Sequence, residues 1–220
     1  MFVTEDLFID GIKIIQNDEL YRFTSDSVLL SKFATVKPND VVADFCSGSG
    51  IVGLHLYALN QKIKSVTFFE MQKSLFDMSM KSIALNNLQD KFFGENLKLQ
   101  YIGKEYNEKF SLIVCNPPYM EANSGKADEE EHIAICKREI TLSAKELITA
   151  AAKCLKFGGR FALVHKADRL TDILCYMREN NIEPKRLQFV SGGKKEPYLF
   201  LAEGVKGGKK GIKVLKTLEN

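Results

Sequence analysis

The 220-residue chain has no apolar run long enough to cross a bilayer, and its opening, MFVTEDLFIDG, has neither the basic stretch nor the apolar core of a secretory signal. Both absences point to a cytoplasmic protein without a membrane association. Cysteine is sparse: Cys46, Cys115, Cys136, Cys154 and Cys175 are odd in number and form no Cys-x-x-Cys pair, which argues against a disulfide framework or a zinc site. His55, His132 and His165 share no ligand spacing, so no metal is expected. Internal repeats and low-complexity tracts are absent as well. The net charge is only +3 and says little by itself. Its distribution says more. From Lys185 on, nine Lys or Arg stand against three Glu, which leaves residues 1–184 at −3. A basic end on a slightly acidic body suggests a local phosphate-binding surface or, equally, a solvated tail.

What is present is a regular alternation of patterns. LFIDGIKIIQ carries two alternating runs joined by Asp10-Gly11, a dipeptide that favours the positive φ angles of a tight hairpin turn. FTSDSVLLSKFATVKP then reads as a short helix capped by Ser25 or Asp26 and stopped before Pro38. Short strand-forming segments follow at 41–45, 65–70, 97–102, 110–115 and 159–165, with helical patterns at 51–60, 72–86, 142–156 and 167–180. Near-continuous apolar strands separated by helices predict a parallel sheet covered on both faces. The segments 185–190 and 198–205 are joined by SGGKKEP, too short for a helix, and should pair antiparallel. The organisation expected is a hairpin and helix over 1–36, one α/β domain over 37–205 and a basic tail over 206–220. A monomer is the working expectation.

ADFCSGSGIVG (43–53) contains a literal G-x-G-x-x-G directly after the first strand of that domain. Such glycines let a backbone turn sharply and approach a ligand, and serve nicotinamide dinucleotides and S-adenosylmethionine alike. Asp44 precedes the loop and suits the ammonium of S-adenosylmethionine, whereas a dinucleotide would present a pyrophosphate. Glu70, at the end of the second strand, is placed to accept hydrogen bonds from two ribose hydroxyls. Cys46, Gly48, Ser49 and Gly50 line the turn. Gly53 reads as a close-packing glycine, and Met71 packs either on the cofactor adenine or on the strand end.

VCNPPYM (114–120) places Asn116-Pro117-Pro118-Tyr119 at the carboxyl end of the fourth strand, the edge where open α/β sheets bind ligands. This tetrapeptide resembles that of amino-methyltransferases acting on planar, conjugated nitrogens. By that resemblance the catalytic groups are the Asn116 side-chain oxygen and the Pro117 carbonyl, which accept the two N–H bonds of the amine, and Tyr119, on which a flipped base stacks. Asn116 would also border the cofactor. The prolines stiffen the loop so that its acceptors are fixed in advance.

RFTSDSVLLSKF (22–33), DFCSGSGIVGL (44–54), GGRFALVHKADRL (158–170), EPKRLQFV (183–190) and EPYLFLAEGVKGGKKGIKV (196–214) extend the likeness over nearly the whole chain. Together with NPPY they resemble the bacterial tRNA1(Val) (adenine-37-N6)-methyltransferase family. The resemblance implies a Rossmann-like class I methyltransferase fold: a mostly parallel seven-stranded sheet with an antiparallel C-terminal hairpin and helices on both faces. It implies S-adenosylmethionine as cofactor, tRNA as partner and methylation of adenine N6 beside the anticodon. Thr24, Ser25 and Asp26 would close over the cofactor, with helix capping as the plainer role of Asp26. Lys206, Lys209 and Lys210 would contact RNA phosphates, extended by Lys185 and Arg186, unless these are solvated strand or tail residues. The chain departs from relatives in two places. No Asp or Asn for the cofactor adenine stands in LQYIGKEY, so backbone groups near Ile102 and Gly103 are expected instead. Lys137-Arg138-Glu139 stands where an Arg-His-Glu is usual. The stretch 120–140, with its acidic run Asp128 to Glu131, reads as a solvated segment that orders on RNA. Other amino targets (rRNA guanine N2, DNA adenine, a protein glutamine) and a catalytically silent RNA-binding role are the competing readings.

Overall fold

The computed structural model describes residues 2–7, 9, 11–17, 25–119, 142–193 and 195–220. The expectations for Asp10, Thr24 and 120–140 lie outside these residues. Strands β1 (Phe2–Asp6) and β2 (Lys13–Asn17) form an antiparallel hairpin whose loop runs from 7 to 12, with Gly11 at φ +69°. The first strand therefore lies upstream of the LFI run, and the connection is wider than a two-residue turn: Leu7 N–H donates to Ile12 O and Ile12 N–H to Ile9 O. Helix α1 (Ser25–Phe33) begins at Ser25, so Ser25 and Asp26 occupy its first turn rather than its cap.

The rest is one twisted sheet of β3 (Val41–Phe45), β4 (Ser65–Phe69), β5 (Phe92–Glu95), β6 (Phe110–Cys115), β7 (Leu155–Lys166), β8 (Ile182–Ser191) and β9 (Pro197–Lys206). Their order is β8-β9-β7-β6-β3-β4-β5. The chain winds outward from β3 through β4 to β5, then returns to the other side of β3 with β6. That reversal makes a topological switch point between β3 and β6, where open α/β sheets bind ligands. Helix α5 (Leu170–Glu179) carries the chain from β7 to β8, and β9 then enters the gap between them, antiparallel to both. One sheet face packs against α1, α2 (Ile51–Leu59) and the β1–β2 hairpin, which is tied to α3 (Lys73–Leu85) by Ile15 N–H donating to Ser82 Oγ at 2.9 Å. The other face packs against α4 (Ala144–Cys154) and α5. Alternation along β3 divides the faces, Val42 turning to the first and Ala43 and Phe45 to the second.

Two sequence expectations are corrected. The third parallel strand is Phe92–Glu95, not 97–102; Leu99–Tyr101 and Lys104–Tyr106 are single 3-10 turns. Residues 206–220 are not a free tail. β10 (Lys213–Val214) and β11 (Leu218–Glu219) run parallel to β8 along the outer edge of the sheet, making nine strands in all. Far from the switch point, at the amino end of the strands, Arg160 and Asp40 form a buried ion pair at 2.5 Å that Ser111 shares through its carbonyl and hydroxyl. No helix among the described residues is long and apolar enough to cross a membrane.

Candidate active site

The loop after β3 needs an unusual backbone. Cys46, Gly48 and Gly50 all have positive φ, 56°, 56° and 87°. Cys46 is the non-glycine among them, a conformation that side chains rarely adopt and that functional turns retain. At Gly50 a Cβ would lie 2.8 Å from Phe68 Cε2, so both backbone angle and space call for glycine. Gly53 has a different reason. Its Cβ would meet Phe68 Cε1 at 2.5 Å, and its N–H donates to Asp44 Oδ2 at 2.9 Å.

Asp44 is buried at the carboxyl end of β3, and its Oδ1 has no hydrogen-bond partner among the described residues. Burial pushes its carboxyl up to about 8, opposed by the Gly53 N–H and reinforced by nearby Glu70. Ser47 Oγ, also buried, is likewise unpartnered. Glu70, just past β4, lifts its carboxyl by burial too, while Gln72 N–H and Gly48 N–H each hold one of its oxygens, at 2.8 and 2.9 Å. The Met71 N–H also holds the carboxylate, so its burial is offset by three backbone donors. Ser49 is buried in the turn and Met71 half-buried beside Glu70. The Cys115 thiol is held well above its ordinary value by burial and by a hydrogen bond with the Cys46 thiol, which leaves it a packing group rather than a nucleophile.

These residues fit the S-adenosylmethionine expected from the sequence. Asp44 Oδ1 and Ser47 Oγ, both buried and without a partner among the described residues, suit an ammonium, and the Glu70 carboxylate at the next strand end suits hydroxyl donors.

Across the switch point, β6 ends at Cys115 and delivers Asn116, with Pro117 buried and Pro118 exposed behind it. Asn116 Nδ2 donates to the buried Ser27 Oγ at 2.9 Å. The Tyr119 hydroxyl lies 2.9 Å from Asn116 Oδ1 and 3.1 Å from Asp26 Oδ2. Helix α1 thus brings Asp26 and Ser27 to the NPPY loop. Ser25 faces elsewhere, accepting from Asn220 Nδ2 at 2.9 Å. His165, at the end of β7, meets the Tyr119 ring edge-on at 5.5 Å; burial, then Arg169, depresses it to about 4, so it backs Tyr119 as a neutral ring.

Helix α1 is held in place from the sheet. Glu203, buried on β9, accepts from Thr35 N–H at 2.6 Å and from the Thr35 hydroxyl at 2.7 Å, and pairs with Arg186 at 3.1 Å. The Arg186 guanidinium also covers the Phe33 ring at 4.5 Å. It is therefore engaged with α1 and Glu203 while its side chain stays half-buried. Lys185 donates to Lys209 O, and Lys206 to Leu155 O and Glu108. Lys209 and Lys210 are exposed. They sit where β9 ends, at the sheet edge opposite the switch point.

Three residues escaped the sequence reading. Ser27 was one position beyond the residues singled out. Ser47 lies between the Cys and Gly of the loop. Asn96 follows the true third strand and donates through Nδ2 to Glu70 O at 2.8 Å and Met71 O at 3.1 Å, so a side-chain amide does stand at that strand end. Locating the strand at FFGE would have exposed it.

The methyltransferase small domain family matches residues 24–174. A protein from a Flavobacteriaceae bacterium (strain 3519-10), named tRNA1(Val) (adenine(37)-N6)-methyltransferase, is 27% identical over 190 residues, covering 78% of this chain and 77% of that one. Among solved structures, a predicted O-methyltransferase from Agrobacterium tumefaciens superposes with a TM-score of 0.69 at 16% identity, over 88% of this chain and 86% of that one. Geranyl diphosphate C-methyltransferase from Streptomyces coelicolor A3(2), solved with S-adenosyl-L-homocysteine, gives 0.58 at 11% identity, over 83% and 78%.

Proposed function

Since this chain belongs to the methyltransferase small domain family, we propose that it transfers a methyl group from S-adenosylmethionine to N6 of adenine in a tRNA anticodon loop. The observation that carries this reading is the Asn116 amide. Ser27 accepts from its nitrogen, and Oδ1, which accepts from the Tyr119 hydroxyl, keeps a second acceptor direction for a ligand; at the neighbouring strand end Asp44 Oδ1 and Ser47 Oγ have no partner among the described residues. The likeness to tRNA (adenine-N6)-methyltransferases over most of the chain supplies the substrate class.

When bound, S-adenosylmethionine supplies the methyl carbon that is transferred. Asp44 and Ser47 would hold its ammonium, Glu70 its ribose hydroxyls, and the Asn96 amide would keep the Glu70–Met71 turn in place against its adenine. The task left to the NPPY loop is orientation. An exocyclic adenine amine is a poor nucleophile because its lone pair is delocalised into the ring. Accepting its two N–H bonds at Asn116 Oδ1 and the Pro117 carbonyl fixes the nitrogen and directs its lone pair at the methyl. Tyr119 offers a flat face to the extruded base, backed by neutral His165. Lys209 and Lys210 are exposed cations available to RNA phosphates, and on this reading the protein works in the cytoplasm as a monomer.

Purified protein, S-adenosylmethionine and unmodified tRNA should yield N6-methyladenosine by nucleoside mass spectrometry, in one tRNA and at the base beside the anticodon. Asn116→Ala should remove the product while leaving affinity for S-adenosylhomocysteine within about threefold, because a single lost polar contact at the rim costs little when cofactor contacts remain. A methylated guanine or glutamine in place of methyladenine would overturn the assignment.

A further inference from the structure

Tyr198 stands where β9 breaks its alternation. Phe200 and Ala202 turn to the sheet face covered by α4 and α5, and strict alternation would send Tyr198 after them. The register with β8 slips at this point. Val190 lies opposite Leu199 and Ser191 opposite Pro197, which leaves Tyr198 without a counterpart. Bulges of this kind re-aim a side chain and are common beside functional sites. The ring is 44% exposed, yet its hydroxyl is tied, accepting from Asn220 Nδ2 at 3.0 Å. The same amide nitrogen donates to Ser25 Oγ at 2.9 Å. Tyr198 is thus turned toward the first residue of α1, the helix on the other face of the sheet.

Pro197 and Tyr198 begin β9 at the edge of the sheet that carries Asn116 and Tyr119. Ser25 Oγ lies 3.5 Å from Asp26 Oδ1, and Asp26 Oδ2 lies 3.1 Å from the Tyr119 hydroxyl. End to end, these contacts keep the Tyr198 and Tyr119 hydroxyls within about 15 Å of each other, roughly the reach of a nucleotide or two in a strand whose bases are splayed apart. The corner is open: at Gly192 and Gly193, just before Tyr198, a Cβ would meet nothing within 4 Å. The exposed Phe93, on the edge strand β5, and Phe157, at the amino end of β7, lie away from this rim. Charge does not set the rim apart, because Lys166 and Lys195 are exposed there together with Asp168 and Glu196. The distinguishing group is the aromatic ring. Held by its hydroxyl, it loses little freedom when a base stacks on it.

We propose that Tyr198 is a second stacking face for RNA, taking a base next in the loop to the one extruded onto Tyr119. The inference rests on the reading of RNA as the substrate and adds the residue that holds a neighbouring nucleotide. Stacking of one base on an aromatic side chain contributes roughly 5- to 150-fold in affinity.

The test pairs protein variants with RNA variants, using the full-length protein and a tRNA that it methylates. Tyr198→Ala should raise KM for tRNA about tenfold and lower kcat less than about threefold, with S-adenosylhomocysteine affinity, by calorimetry, within about twofold. Tyr198→Phe keeps the ring and gives up only the contact with Asn220, so its KM should rise no more than about threefold. A stacked base neutralises no phosphate, so the log–log salt slope of RNA binding should be the same in Tyr198→Ala as in wild type. An abasic nucleotide, placed in turn at each position flanking the target adenine, locates the stacked base. At one such position the wild-type KM should rise about tenfold, while that of Tyr198→Ala should rise no further. Equal KM values for Tyr198→Ala and wild type, a Tyr198→Phe defect as large as that of Tyr198→Ala, or abasic penalties alike in both proteins at every position overturn the inference. A wild-type protein that forms no N6-methyladenosine in any tRNA rejects instead the reading beneath it, and the inference falls with that reading.

Discussion

Asp44 makes a quantitative prediction about how the cofactor binds. Its carboxyl is raised to about 8, chiefly by burial, and one of its oxygens has no partner among the described residues. At pH 7 a group with that affinity for protons is about 90% protonated in the free protein. An ammonium brought beside it favours the charged form by roughly two to three pH units at close range. Binding should therefore release about 0.8 to 0.9 proton at pH 7, and apparent affinity should fall about five- to eightfold from pH 7 to pH 6, where the free protein holds its proton more firmly. Calorimetric titration of S-adenosylhomocysteine in buffers of different ionisation enthalpy reads the proton count directly. Asp44→Asn should abolish the release and flatten the dependence between pH 6 and 7. Proton-neutral binding with a flat profile in the wild-type protein would refute the reasoning, since it would mean that Asp44 is either already ionised or distant from the ligand's cation. The sign for folding follows from the same shift. A carboxyl whose folded value exceeds its unfolded one stabilises the fold at low pH and loses that contribution as pH climbs through about 8, so the ligand-free protein should melt at lower temperature at pH 8.5 than at pH 6.5.

Two further outcomes can be checked separately. Asp40→Ala leaves the buried Arg160 charge without its partner, and should cost about 3 to 5 kcal/mol in denaturant unfolding while leaving the cofactor loop's residues untouched. Replacing Lys209 and Lys210 together by Ala should weaken RNA binding and lower the magnitude of its log–log salt slope by about 1 to 2; Arg186→Ala should instead lower the melting temperature, and a salt slope altered more by Arg186→Ala than by the lysine pair would reverse that division.

Periodicity was sufficient where strands are central and buried on both faces. VVADF, SVTFF and FSLIVC fold as read because each is a short apolar run with no other way to bury its residues. The third strand was misplaced because β5 is a four-residue edge strand containing Gly94, where a Cβ would stand 2.7 Å from Met80 Sδ of α3. A glycine required by helix approach weakens the very pattern by which strands are recognised, and the alternation in LKLQYI was the better-looking signal. The site divides in the same way. Asp44, Glu70 and Asn116 stand at strand ends and were legible from position alone. Ser27 depends on how α1 packs over β7 to reach the loop after β6, and the Arg186 contacts depend on its register opposite Glu203 across β8 and β9, which no local pattern specifies.

The placement of β9 has a bearing on how the protein is made. β9 occupies an interior slot between β7 and β8, yet it is the last of the long strands to leave the ribosome. Until it arrives, the flank of β7 presents a row of unanswered amide and carbonyl groups, the kind of edge that recruits foreign strands. Glu203, which secures α1, comes with the same strand. The nascent chain is therefore vulnerable to misassembly in the interval between the emergence of β7 and that of β9, and the sheet closes only when β9 slides between its neighbours.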